Sequence, residues 1–469
     1  MPNSPSRPED ALDTFSPFIN GAILALYFTV TQVVTTNDKL CAAICILIAG
    51  GFFFYNYYLM GRPIFLKRSP GRYLGAAFLI LNAVLLTWGT FSSDGLKPWI
   101  AIFVIQLLSV AMPVSLLSIY GTSFIKKSLL TIALFFIWFG IINLAASVLG
   151  YSKVEMTERE TKYTSHFIAG GFRYQTPLYS SWQVSGMLRW AVPLTMAYLI
   201  FTKFKDKLFS ICLTVFFIVG TAVMVLVDYR AAVFPLVGLV LWGCLLKIRL
   251  RVLACVVFFA YMFVAPVLFG VIDIGSILQQ ITPDWALRLA GNQKAADVFT
   301  LSGRNVMWRD AINALGEGTH MFRGDGHSYF NAYNWLSDQR PYQFLELRGE
   351  RLGFHQGVLD LIFIYGLCFT FFLTIIIGWT IVRGMLAQLR PPLVKYCFTD
   401  THFALLSLGL VGLSNCHDGF FASHNLFYII CVICCWAIWD EQAWLRRRPA
   451  RPAPLNERLP ARPGSGLTV

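Results

Sequence analysis

The chain has 469 residues, of which 56% are hydrophobic and 13% are charged. This balance excludes an ordinary soluble globular protein, in which about a quarter of the residues are charged. The formal net charge of +13 would suit nucleic-acid binding, but the basic residues stand in short runs between apolar segments, which is typical of membrane topology signals. We therefore interpret the chain as an all-α integral membrane protein that binds the lipid bilayer and no nucleic acid.

Apolar stretches of about twenty residues recur along the chain, and each is long enough to cross a hydrocarbon core of about 30 Å as a helix. They predict about twelve transmembrane helices, with one large polar loop subdomain between the late spans. The predicted spans are 17–35, 40–60, 73–92, 98–120, 128–149, 184–203, 208–227, 231–247, 252–272, 356–382, 402–416 and 424–441. The least regular are 98–120, which carries Gln106 and Pro113, and the short span 402–416.

Basic residues concentrate in alternate loops between these spans. One set of loops contains Arg62, Lys67, Arg68, Arg72, Lys126, Lys127, Lys203, Lys205, Lys207, Lys247, Arg249, Arg251, Arg383, Arg390 and Lys395. The opposite short loops contain little beyond Lys39 and Lys97. By the positive-inside rule, both termini are predicted to be cytoplasmic, and the loops at about 150–183 and 273–354 are predicted to face outward.

The chain divides into three predicted parts. Residues 1–15 form a polar cytoplasmic segment, residues 16–445 form one membrane domain, and the arginine- and proline-rich tail 446–469 is predicted to be disordered. The long loop 273–354 contains no cysteine, so disulfides do not hold it. Cys431 and Cys434 have C-x-x-C spacing, but inside an apolar span this favours packing over metal or redox chemistry.

The first motif of the long loop is Ser302-Gly303-Arg304, at the predicted start of an amphipathic helix. The apolar face of that helix is predicted to contain Val306, Ala311, Ile312 and Leu315. Free N–H groups at a helix start, together with the planar guanidinium of Arg304, would form a seat for an oxyanion or phosphate. The alternative is that Ser302 caps the helix and Arg304 is a solvated charge.

The loop ends with a second motif at the membrane boundary. Gly324-Asp325-Gly326-His327 predicts a tight turn, and His355 follows directly before a strongly apolar span that contains Asp360. A histidine at this boundary could accept a proton from a sugar hydroxyl near neutral pH, or it could merely anchor the helix end. An acid within a span is costly and is usually paired or functional.

Other outward residues are candidates for contact with an anion. Arg230 lies in a very short turn between two spans, Arg173 lies in the first outer loop, and Arg189 lies just inside the next span, where snorkelling to the surface is the alternative. His417, Asp418 and His424 cluster in the last outer loop without the spacing of metal ligands. The aromatic residues of the long loop would either stack on sugars or pack the loop; they are Trp285, Trp308, Phe322, Tyr329, Phe330, Tyr333, Trp335 and Tyr342.

Taken in chain order, these motifs resemble the O-antigen ligase and O-antigen or exopolysaccharide polymerase superfamily of bacterial membrane glycosyltransferases. The resemblance rests on Arg230, on Ser302-Gly303-Arg304 with Trp308, on Gly324-x-Gly326, and on His355-x-Gly-x-Leu-Asp360 with Gly366. It covers the chain from about Arg173 to the last span. The chain departs from the family at Tyr229 and Ala231, at Gln356, and at Thr176-Pro177-Leu178.

The resemblance implies an enzyme of the bacterial inner membrane with a periplasmic active site. It implies transfer of a glycan from an undecaprenyl-diphosphate carrier to an acceptor sugar, with inversion and without a cofactor or metal. His355 and Arg304 would be catalytic. The diphosphate or substrate would be bound by Arg230, Arg173, Arg189, Trp308 and Asp360.

Two reactions fit this resemblance. A ligase joins a finished polymer to the lipid A–core oligosaccharide, whereas a polymerase joins lipid-linked repeat units of a growing polysaccharide. A transporter of lipid-linked glycans is a further alternative, because about twelve spans with both termini inside also suit transport; paired half-repeats, which transporters usually show, are absent from the sequence. A non-catalytic assembly protein is the remaining possibility.

Overall fold

The protein is described here from a computed structural model. It describes residues 8–33, 38–62, 96–120, 125–151, 181–201, 207–226, 304–316, 324–325, 332–337, 353–354, 357–388 and 433–439, with single residues at 73, 77, 80, 280 and 322. These residues form helices and the turns beside them.

Nine α-helical segments lie in the described ranges. They are α1 (Pro8–Val33), α2 (Asp38–Phe53), α3 (Leu96–Tyr120), α4 (Ile125–Ala146), α5 (Ser181–Phe201), α6 (Lys207–Leu226), α7 (Arg304–Gly316), α8 (Gly357–Gln388) and α9 (433–439). Two of them continue into π-helical turns, α2 at Phe54–Leu59 and α4 at Ser147–Tyr151, and a 3-10 turn forms at Ala332–Trp335.

Five of these helical segments are long and apolar enough to cross a membrane, which confirms an α-helical membrane protein. They are Lys39–Leu59, Phe103–Tyr120, Ile125–Leu149, Lys207–Leu226 and Val358–Thr380. α1 and α5 contain shorter apolar stretches at the predicted positions. The predicted spans 73–92, 231–247, 252–272 and 402–416 lie outside the described ranges, so the number twelve stays a prediction.

α4 packs against α1 and α5, and α2 packs against α1 and α3. The ring of Phe136 on α4 lies 6.1 Å from Phe28 on α1 and 6.1 Å from Trp190 on α5. Glycine allows a close approach at Gly21, where an added methyl group would lie 2.8 Å from Cβ of Thr131. Small residues at such contacts let transmembrane helices pack by van der Waals attraction.

A buried polar network connects α1, the π-helical turn after α2, and α3. The side chains of Asn20 and Asn56 donate to each other at 3.1 and 2.8 Å. The hydroxyl of Tyr120 donates to Asn56 Oδ1 at 3.0 Å and lies 2.6 Å from the Ser16 hydroxyl. Hydrogen bonds between helices replace water for polar groups buried in an apolar bundle, so this network fixes how the three helices align.

Basic side chains meet aromatic rings at the same end of the bundle. Arg62 lies over the ring of Tyr120 at 6.0 Å, and Lys127 lies over Phe18 at 5.7 Å. α2 and α3 therefore both end at this face. The alternation of basic loops in the sequence agrees with this clustering.

α8 is interrupted where the sequence predicts one continuous span, 356–382. Gly366 has φ 85° and ψ 165°, which is not helical, and this residue separates a short first part of α8 from a longer second part. Near the far end of the second part, Arg383 lies over the ring of Trp439 at 4.1 Å, and the indole N–H of Trp439 donates to Thr380. Gly366 therefore divides α8 into a part that contacts the long loop and a part that contacts α9.

Candidate active site

Several segments of the long loop converge on the first part of α8. We name this group the Phe354 cluster; it consists of Trp308, Asp325, Trp335, Phe354, Asp360 and Phe363. Trp308, Phe354, Asp360 and Phe363 are each at most 3% exposed. The cluster connects three segments of the loop with the first part of α8. These segments contain Trp308, Asp325 with Trp335, and Phe354.

The backbone of Phe354 is held at both of its polar atoms. Its N–H donates to Oδ1 of Asp360 at 2.7 Å, and its carbonyl oxygen accepts the indole N–H of Trp308 at 2.8 Å. Its ring lies 4.8 Å from the ring of Phe363. Three contacts from two helices therefore fix the residue that directly precedes His355.

Asp360 is an acid in the first turn of α8, and it is fully buried. The positive end of the helix dipole favours a carboxylate there. Its bond to Phe354 is similar to the backward bond of a capping box, in which an acid early in the helix accepts an N–H from before the helix start. A methyl group added at Gly353 would lie 3.0 Å from Oδ2 of Asp360, so Gly353 packs directly against the carboxylate.

The loop also docks at the interruption of α8. The N–H of Asp325 donates to the carbonyl oxygen of Phe363 at 2.6 Å. In an unbroken helix that carbonyl would accept the N–H four residues later, so the loop supplies a donor where Gly366 breaks the pattern. Gly324 has φ +74°, and a methyl group there would overlap the carbonyl oxygen of Ile364. The predicted tight turn at 324–327 therefore begins with a glycine that presses against α8; Gly326 and His327 lie outside the described residues.

The predicted helix after Ser302-Gly303 is confirmed, since α7 begins at Arg304. The prediction of its buried face is partly wrong. Met307, Trp308 and Ala311 are buried, whereas Val306 is 42% exposed. The physical reason is the indole of Trp308, whose N–H reaches Phe354 only if this side of α7 faces α8.

The aromatic residues of the loop that the structure describes mostly pack within it. Trp335 donates its indole N–H to Asp325 Oδ2 at 3.2 Å, and its ring lies 5.4 Å from Phe363. Tyr333 is 6% exposed, whereas Phe322 is 65% exposed. Among these described rings, Phe322 offers the most surface to a ligand.

Of the remaining predicted site residues, the structure describes the positions of Arg304 and Arg189. Arg304 is the first residue of α7, one turn before Trp308. His355, Arg230 and Arg173 lie outside the described residues. Arg189 is 2% exposed on α5, so the snorkelling interpretation is wrong, and its side chain lies inside the protein.

Sequence reasoning missed Phe354 and Phe363. It named Asp325 in the predicted turn and Trp335 among the aromatic residues of the loop, but it predicted none of the contacts that join them to α8. A signal was present for part of this arrangement. Gly366 stands in the middle of an apolar span, where glycine weakens a helix by about 1 kcal/mol relative to alanine and often marks a close contact. The pairing of Gly366 with Gly324 had no local signal, because the two residues are distant in sequence.

Comparison of the chain with protein-family profiles, with curated proteins and with solved structures finds no match. The class of the protein is therefore defined only by its fold and its described site. The protein is an α-helical membrane protein whose long polar loop is docked on a broken membrane helix.

Proposed function

We propose that this protein transfers a glycan from an undecaprenyl-diphosphate carrier to an acceptor sugar at the periplasmic face of the bacterial inner membrane. The observation that carries the proposal is the bond from Trp308 to the carbonyl of Phe354. Trp308 lies one turn after Arg304, and Phe354 directly precedes His355. The cluster thus ties together the two segments that bear the proposed catalytic residues.

Arg304 acts on the leaving group. A lipid diphosphate cannot leave its membrane, so the enzyme must present cations at the membrane surface. A guanidinium pairs with phosphate oxygens through two parallel hydrogen bonds and stabilises the charge that develops on the leaving oxygen. Arg230 and Arg173 supply further positive charge to the same diphosphate, whereas Arg189, which is buried on α5, adds to the positive potential from inside the protein.

His355 acts on the acceptor. Its imidazole accepts the proton of the attacking hydroxyl, or orients that hydroxyl toward the anomeric carbon. Direct attack on the face opposite the diphosphate forms the new C–O bond as the old one breaks, so the configuration at that carbon inverts. The reaction needs no metal or cofactor, because the diphosphate is already a good leaving group.

The acceptor separates the two reactions that this chemistry serves. In the ligase reaction, which we propose, the acceptor is the lipid A–core oligosaccharide. In the polymerase reaction, the acceptor is a second lipid-linked glycan of the growing polysaccharide. Both use the same donor, the same arginines and the same histidine.

Transport is the other candidate function, and the interruption of α8 favours it, because discontinuous helices often mark transport sites. In this protein, however, the broken end of the helix accepts a hydrogen bond from Asp325 of the loop. The protein's own loop therefore occupies the interruption. This supports the interpretation that the interruption holds the loop and does not bind a transported substrate.

The test uses the purified protein in nanodiscs with a synthetic undecaprenyl-diphosphate glycan, with and without lipid A–core. Glycan joined to lipid A–core supports the ligase reaction, and lengthening of the carrier-linked glycan supports the polymerase reaction. No transfer in either mixture would show that the proposal is wrong. Movement of the intact donor across proteoliposomes without transfer would indicate a transporter instead.

A further inference from the structure

We propose that Asp360 is a positioning residue, whose carboxylate holds the Phe354 amide and so fixes the direction in which the chain enters His355. This inference rests on the proposed function, because it assigns His355 the reacting position. It differs from the expectation that Asp360 binds substrate. The assignment comes from the contacts of the carboxylate and from its burial.

The carboxylate is enclosed by the protein. Asp360 is 0% exposed. Oδ1 accepts the N–H of Phe354 at 2.7 Å, and Oδ2 faces the α-carbon of Gly353 so closely that a methyl group there would lie 3.0 Å away. Because the side chain is fully buried, a substrate would have to displace protein atoms before it reached either oxygen.

Burial of an acid at this place has a cost that the fold offsets locally. A carboxylate inside an apolar span is unfavourable unless hydrogen bonds or opposite charge compensate it. The amide of Phe354 and the start of α8 both present positive dipoles to Asp360. The bond from the Phe354 N–H needs only an acceptor oxygen, so a neutral side chain of the same shape that accepts the same hydrogen bond tests whether the charge itself is required.

Trp308 restrains Phe354 through the carbonyl group of that residue. Its indole N–H binds the Phe354 carbonyl at 2.8 Å, so both polar atoms of Phe354 are fixed by side chains. Free rotation about the Phe354 backbone would otherwise swing the following residue. A misplacement of about 1 Å in a catalytic group costs roughly a hundredfold in rate.

The experiment compares Asp360→Asn and Asp360→Ala in the full-length protein in nanodiscs. The asparagine side chain keeps an oxygen that accepts the Phe354 N–H, whereas alanine removes it. The control is Asp310→Ala, since Asp310 also accepts a backbone N–H, that of Ser337 at 3.0 Å, but this bond does not involve Phe354. Turnover, the KM for the synthetic donor, and hydrogen exchange of the Phe354 amide are measured for each.

We expect Asp360→Ala to lower turnover by roughly ten- to a hundredfold with little change in donor KM. It should also raise exchange at the Phe354 amide, while Asp360→Asn stays close to wild type in both measurements and Asp310→Ala leaves both unchanged. Gly353→Ala, whose methyl group would lie 3.0 Å from the carboxylate and push on it without removing it, should lower turnover in the same direction as Asp360→Ala but by a smaller factor. This variant keeps the test decisive if alanine at 360 impairs folding.

Three results would overturn the inference. Equal loss in both Asp360 variants with a raised donor KM would indicate that the charge binds substrate. A lowered unfolding temperature with normal turnover per folded molecule would indicate a structural role alone. Unchanged exchange at Phe354 in Asp360→Ala would show that the carboxylate does not hold that amide. If the wild-type protein transfers no glycan, the proposed function fails, and the exchange data alone decide whether Asp360 holds Phe354.

Discussion

A methyl group at residue 324 tests how the long loop is attached to α8. Gly324 has φ +74°, and its α-carbon presses against the backbone at the helix interruption. In Gly324→Ala, the new Cβ would overlap the carbonyl oxygen of Ile364 and would lie 2.6 Å from the amide nitrogen of Gly366. Both neighbours are backbone atoms, so the loop must move away from α8.

The loss of stability expected in Gly324→Ala has two sources. A left-handed backbone conformation costs a non-glycine residue about 1–2 kcal/mol. Retreat of the loop also breaks the 2.6 Å bond from Asp325 to the Phe363 carbonyl, and a buried acceptor without a partner costs about 1–3 kcal/mol. We therefore expect Gly324→Ala to weaken the attachment of the loop by about 2–5 kcal/mol.

Gly61→Ala is the matched control, because it separates the backbone conformation from the overlap. Gly61 has φ +57°, but no atom lies within 4 Å of the Cβ that would be added. Its substitution should therefore cost only the conformational share, about 1–2 kcal/mol. Thermal unfolding in detergent reports the stability of each variant, and hydrogen exchange of the peptide that contains Asp325 reports whether the loop has detached.

The reasoning is refuted if Gly324→Ala destabilises the protein no more than Gly61→Ala and leaves the Asp325 amide protected from exchange. That result would mean that α8 and the loop adjust to the methyl group without separating. If Gly324→Ala lost much stability while the Asp325 amide stayed protected from exchange, the size of the loss would agree with the prediction. The prediction that the loop detaches from α8 would be refuted.

Four further predictions follow from the same contacts. Arg304→Lys should lose roughly 1.5–3 kcal/mol of transition-state stabilisation, measured as kcat/KM against the exposed Arg309→Lys as control; near-normal product would make Arg304 a solvated charge. His355→Ala should lower turnover about a hundredfold between pH 6 and 9 while donor affinity persists, and full turnover would leave His355 as an anchor. A reporter fused near residue 320 should be active only outside the cytoplasm; a cytoplasmic signal would overturn the site. Asn56→Leu should lower the unfolding temperature, since Oδ1 of Asn20 loses the Asn56 amide that donates to it, at a cost of about 1–3 kcal/mol, and an unchanged temperature would contradict the network.

Hydropathy predicted the described membrane helices because it needs only local composition. The segment 98–120 is the clearest case. Gln106 and Pro113 are unfavourable residues for a transmembrane helix, yet the helix runs from Leu96 to Tyr120. The start of α1 was not predicted: it begins at Pro8, inside the polar segment 1–15. Proline suits the first turn of a helix, where its missing N–H would have no partner.

The local pattern contained one signal for the interruption of α8, the glycine at 366, and hydropathy did not predict it. The residues on both sides of Gly366 are apolar, so hydropathy alone indicates a continuous span. The conformation of Gly366 depends instead on a donor from Asp325, which lies far away in the sequence. Such a contact is set by tertiary structure and leaves no periodic signal.

For the candidate site, residue types predicted the segments but not the contacts. The start of α7 at Arg304 followed from Ser302-Gly303 and the apolar residues after it. Trp308 was expected to bind substrate, yet its indole N–H binds the backbone of Phe354. The orientation of α7 follows from that one bond, and the apolar spacing in the sequence contained no information about it.

The hydrogen bond between Asp325 and Phe363 also has a consequence for biosynthesis. The carbonyl at the interruption receives its donor from a residue earlier in the chain. When the ribosome makes α8, the segment that completes it has therefore already been synthesised. A membrane helix that cannot satisfy its own backbone thus follows its partner out of the ribosome, and the polar carbonyl has a donor available from the moment the helix meets lipid.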